Sequence, residues 1–175
     1  MLARPGIVTA IITQNGNAYE DGLGDFWGTV KAFWQNPSAL REELKNTFTS
    51  LETTKWQVRS LAVIVRDVLD LISLFAQYVT GVPNPDAIAP ETYHLDYYLM
   101  TRPGNADIQM DIIFDYQNNL KMYPEFHKYF RQHKPPVLAV WGKNDPMFIA
   151  PGAEAYKKDN PNAEVILVDS GHFAL

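Results

Sequence analysis

The stretch Val137-Leu138-Ala139-Val140-Trp141-Gly142-Lys143-Asn144-Asp145-Pro146 decides how this chain is read. A continuous apolar run introduced by Pro135-Pro136 predicts a short buried strand, and Gly142 to Pro146 end it in a turn. Asp145 therefore stands just beyond the carboxyl end of a strand. A second unit of the same kind follows: Ala163 to Val168 predicts a strand that ends in Asp169-Ser170-Gly171-His172. Gly152 to Lys158 predicts a short helix between the two. The 27 residues from Asp145 to His172 hold one loop, one helix and one strand, enough for a crossover between neighbouring parallel strands. In open α/β sheets ligands collect beyond the carboxyl ends of the strands. A carboxylate there can fix the tautomer of an imidazole and stabilise the imidazolium that forms when the other nitrogen takes a proton. Either residue alone reads more readily as a turn or packing group than as a catalytic one. The pairing is what carries the expectation.

Upstream, Ile7-Val8-Thr9-Ala10-Ile11-Ile12-Thr13 is apolar and β-branched, bounded by Pro5-Gly6 and by Gln14-Asn15-Gly16-Asn17. It predicts a parallel strand covered on both faces. From Asp25 to about Lys134 the pattern is helical. Asn36-Pro37-Ser38 opens one helix, and Thr53 to Gln77 forms one long helix or two. Further runs lie at Glu91–Met100 and Ala106–Met122, with another from Pro124-Glu125 to Gln132. The layout is strand, long helical insertion, strand, helix, strand, with segments 1–20, 21–134 and 135–175.

Composition narrows the function classes. An apolar fraction of 46% with 13% aromatics is that of a globular protein, not a disordered one. The net charge of −5 gives no basic footprint for nucleic acid or anionic membrane. Without cysteine there is no disulfide framework, thiolate nucleophile or Cys-ligated metal. His94, His127 and His133 lack metal-ligand spacing, so the expectation is no metal and no cofactor. The N-terminus shows no secretory h-region, and Arg66, Asp67 and Asp70 interrupt the longest apolar run. The expected location is cytoplasmic, with a small molecule as partner and the oligomeric state open.

The acid and base segments, Val137 to Pro146 and Asp169-Ser170-Gly171-His172-Phe173, resemble those of α/β-hydrolases. The nearest likeness is to the haloalkane-dehalogenase and epoxide-hydrolase-like branch. The opening Val8 to Ile12 with Gln14-Asn15-Gly16-Asn17 is similar to the strand before the cap in that branch. The resemblance implies an incomplete α/β-hydrolase fold, parallel strands with a helical cap insertion at 21–134. It implies that Asp145 orients His172 and that His172 activates water on an ester, epoxide or haloalkane. Trp27, Trp34, Trp56 and Tyr98 are the aromatic candidates for lining the substrate pocket, with ordinary cap packing as the alternative for each.

The family's nucleophile, a Ser or Asp on a glycine-framed elbow, lies upstream of the acid and base. No such elbow occurs in the sequence: Ser38, Ser50, Ser60, Ser73 and Ser170 all lack the glycine frame. The expectation is a fragment, inactive as given and prone to aggregate. A second departure is Val58 to Gln77. Related sequences are expected to run from Gln57 directly into Tyr78. Valine codons begin with GT and one glutamine codon is CAG, the ends of an unspliced intron. A retained intron or gene-model error therefore stands beside a genuine extra helix. A non-catalytic truncated product and a helical binding module are the alternative functions.

Overall fold

The structure is a computed structural model that describes residues 1–38 and 71–174. Beyond Ser38 the helix expected from Asn36-Pro37-Ser38, together with Trp56 and most of Val58–Gln77, lies outside the described residues.

Three parallel strands form one sheet in the order β1 (Ile11–Gln14), β2 (Val137–Gly142), β3 (Glu164–Val168). The register pairs Ile11 with Val137 and Leu138 with Glu164. Between β1 and β2 run α1 (Phe26–Gln35), α2 (Leu71–Val79), α3 (Pro90–Met100), α4 (Asn105–Asp115) and α5 (Gln117–His133). The short helices α6 (Pro151–Glu154) and α7 (Tyr156–Asp159) make the crossover from β2 to β3.

Alternate positions of β2 explain where the core sits. Val137, Ala139 and Trp141 point to one face, and all three are buried against Tyr129 and Phe130 of α5 and against Ala153, Ala155 and Tyr156. The alanines let the crossover helices approach the sheet closely. Trp141 is fully buried, and its indole Nε1 donates to the Phe148 carbonyl at 2.6 Å.

Four expectations are corrected here. The first strand begins at Ile11, because Pro5–Ile7 form a 3-10 turn and pairing with β2 starts only at Val137. It is covered on one face only: Ile12 is 76% exposed, although its neighbours Ile11 and Thr13 are half-buried. The run expected over Ala106–Met122 is broken at Tyr116, where α4 ends and α5 begins. Pro124 does not start a helix but lies inside α5. Proline removes one intrahelical hydrogen bond. The buried stripe of Tyr123, Tyr129 and Phe130 continues across it and keeps the helix packed. Helix α2 runs unbroken from Leu71 through Gln77 into Tyr78 and Val79.

Candidate active site

Three strand ends converge at one edge of the sheet. After β2 the chain turns, with the Asp145 N–H donating to the Gly142 carbonyl at 3.1 Å. The Asp145 side chain then folds over its own turn. Its Oδ1 accepts from the backbone N–H of Met147 at 2.8 Å and of Phe148 at 3.1 Å, an Asx-type arrangement that fixes the carboxylate plane. Its Oδ2 points to the end of β3, where His172 Nδ1 lies 2.9 Å away. The crossover through α6 and α7 thus brings together the two residues that the sequence places at adjacent strand ends.

The third end belongs to β1, and the sequence reading passed over it. Asn15 is buried, with φ of +44°, a left-handed conformation that asparagine adopts more readily than most residues. Its Oδ1 accepts from the Gly142 N–H at 3.1 Å. Its Nδ2 donates to Asp145 Oδ2 and, at 3.5 Å, to the Gly171 carbonyl. The tetrapeptide Gln14-Asn15-Gly16-Asn17 reads as a turn in isolation. The signal that finds Asn15 is its place at the carboxyl end of a third parallel strand.

The electrostatics follow from this geometry. Burial alone would raise the Asp145 carboxyl. The hydrogen bonds from His172 and Asn15, the charge His172 can carry and the Met147 N–H together outweigh burial and hold it below the usual carboxylate range. The carboxylate is therefore an anion at neutral pH. When His172 donates from Nδ1 to that anion, Nε2 is left as the proton acceptor. The imidazole is flanked by Phe148, with ring centroids 5.8 Å apart, and by Phe173 at 5.1 Å.

The loop that carries His172 is wedged by close backbone approaches. A Cβ on Gly142 would come within 1.9 Å of the Gly171 carbonyl oxygen, and one on Gly171 within 1.9 Å of the Thr80 carbonyl oxygen. Asn144 Nδ2 donates to both the Gly81 carbonyl and Asp169 Oδ1, each at 2.9 Å. Tyr78 packs against Phe173 with the rings tilted and their centroids 4.5 Å apart. The segment following α2 is thus seated on the loop that carries His172.

The aromatic candidates divide. Trp27 is buried between Tyr116 (4.6 Å) and Phe148 (5.3 Å), and its indole N–H donates to the Met147 carbonyl at 3.0 Å. It touches the turn that carries Asp145. Trp34 donates to the Ile113 carbonyl at 2.8 Å and joins α1 to α4. Tyr98 lies on α3 and is 70% exposed. Trp56 is outside the described residues. His127 stacks on Tyr19 at 4.2 Å, and its Nε2 lies 2.8 Å from the Ala18 carbonyl. Among the described residues no group of three His, Asp or Glu side chains is placed to hold a metal ion, and no helix is long and apolar enough to cross a membrane.

A buried carboxylate held against a histidine across adjacent strand ends of a parallel sheet is an arrangement able to orient an imidazole and stabilise its charged form. The chain belongs to the α/β hydrolase fold family, whose sequence model matches residues 20–175. It is 44% identical over 172 residues to a protein of Saccharomyces cerevisiae described as an uncharacterized hydrolase, YNR064C. That match covers 98% of this chain and 53% of the yeast protein, so the chain spans about half the length of its relative.

Proposed function

We propose that these residues supply the acid and base of a hydrolase that works through a covalent intermediate, with Asp145 orienting His172 and His172 activating water. The observation that carries the reading is the 2.9 Å contact between His172 Nδ1 and a buried Asp145 oxygen at the ends of neighbouring strands. The nucleophile is provided by polypeptide beyond residues 1–175, since no glycine-framed Ser or Asp occurs within them. Residues 1–175 alone do not turn over substrate, because a His–Asp pair without a nucleophile forms no intermediate. The substrate is a small ester, epoxide or haloalkane. The helical segment between β1 and β2 acts as its cap, in the manner of the haloalkane-dehalogenase and epoxide-hydrolase-like branch. Among the described aromatic candidates, Trp27 borders the pocket, a reading supported by its contacts with Met147 and Phe148. The cysteine-free, acidic composition is in keeping with a cytoplasmic enzyme.

The test joins this chain to the part of the yeast relative outside the match and supplies esters, epoxides and haloalkanes. Hydrolysis of one class, lost in Asp145→Asn, is the expected result. In His172→Gln, intact-mass analysis then separates the chemistries. An Asp nucleophile leaves an alkyl-enzyme ester that accumulates, whereas a Ser nucleophile needs the base for its own attack and leaves no adduct. A folded chimera that hydrolyses its substrate equally well as Asp145→Asn would overturn the assignment.

A further inference from the structure

We propose that Asn15 is a positioning residue of this site, which holds the Asp145 carboxylate in its charged form and aims it at His172. The inference rests on the reading of Asp145 and His172 as acid and base, and adds a residue from the third strand end. Each oxygen of the carboxylate has two donors. Oδ1 takes the Met147 and Phe148 N–H groups, while Oδ2 takes His172 and Asn15. Among the described residues, two backbone N–H groups, the Asn15 amide and the His172 ring surround the group as donors, so the ionised form is favoured over the protonated one. The Asn15 amide is itself locked, its oxygen held by the Gly142 N–H and its nitrogen also reaching the Gly171 carbonyl. One buried side chain therefore ties β1 to the end of β2 and to the base loop. His172 is the titratable side chain hydrogen-bonded to Asp145. On the turns beside it, Lys143 and Asp169 pair with each other at 3.2 Å.

A purely architectural role, holding the Gly142 backbone, would leave the protonation of Asp145 untouched. The deciding measurement is the pH titration of the Asp145 side-chain carboxyl carbon by NMR in the full chain. Asn15→Gly removes the amide yet keeps a residue at ease with positive φ. Its expected effect is a rise of about one pH unit in the Asp145 midpoint, a tenfold gain in proton affinity. Asn15→Asp keeps the size and the acceptor for Gly142 but replaces the donor with a second carboxylate, and raises the midpoint further. An unmoved midpoint in Asn15→Asp overturns the proposal, whether or not Asn15→Gly folds. His172→Ala keeps the two readings apart. If the Asp145 midpoint does not rise there, the acid–base pair itself is wrong. If it rises there but not in the Asn15 variants, only the role of Asn15 falls.

Discussion

Replacing Gly171 by alanine probes the closest packing around the base loop. The added methyl would sit 1.9 Å from the Thr80 carbonyl oxygen and 3.1 Å from the Thr80 carbonyl carbon. An ordinary carbon–oxygen contact is about 3.3 Å, so the two backbones must part by about 1.4 Å. Neither atom is the end of a flexible side chain, and the movement must come from one whole segment. The β3 side is held by β2 through the Lys143 N–H to Val168 carbonyl bond at 2.9 Å and the Asn144 N–H to Ser170 carbonyl bond at 3.1 Å. Thr80 is exposed, so Thr80-Gly81 is the side that retreats. Its retreat forfeits the Asn144 bond to the Gly81 carbonyl and the packing of Tyr78 against Phe173. Overpacking of this kind costs about 1–3 kcal/mol. With a urea slope of about 1–3 kcal/mol per molar, the midpoint falls by roughly 1 M. Urea unfolding followed by tryptophan fluorescence measures it, with Gly6→Ala as control, because nothing lies within 4 Å of a Cβ there. A Gly171→Ala midpoint indistinguishable from that of the unsubstituted chain would refute the wedge.

Three further outcomes are expected. Asn160 is almost fully buried and donates to the Pro135 carbonyl at 2.7 Å, so Asn160→Ala strands that carbonyl and lowers stability in urea by about 1–3 kcal/mol. Asp145, held below its ordinary range when folded, adds stability that is full above the unfolded carboxyl value of about 4 and is lost as pH falls through the folded one. Urea midpoints measured from neutral pH down to pH 3 should decline for the unsubstituted chain and decline less for Asp145→Asn. Ile12 at 76% exposure and Ile166 at 41% present apolar side chains from β1 and β3 to water, so the chain by itself should self-associate in sedimentation velocity, and Ile12→Lys with Ile166→Lys should reduce it.

The sheet was legible because its strands are short apolar runs cut by proline and glycine, and because their ends carry Asp145 and His172 at a spacing that fits one crossover. Asn15 reads as a turn residue, since its type and glycine neighbour suit one; it stands just past a predicted strand, but only the register of β1 on β2 brings it to Gly142 and Asp145. Helix boundaries failed at Tyr116 and Pro124 for a tertiary reason. At Tyr116, where α4 gives way to α5, the side chain packs against Trp27 at 4.6 Å, while the packing of Tyr123, Tyr129 and Phe130 carries α5 through the proline. Among the aromatics, Trp27 and Trp34 share a helix and a residue type, yet one meets the turn after Asp145 and the other a neighbouring helix. Helical spacing does not reveal which carbonyl an indole will reach.

The central claim is that His172 acts as the base. The most direct measurement is the kcat of the chimera with and without His172→Ala, on whichever substrate class it hydrolyses. Loss of at least about a thousandfold is predicted, the scale seen when a triad member is removed. A kcat that stays within about tenfold of the unsubstituted enzyme would contradict the account, because a residue with general-base work to do contributes more than that.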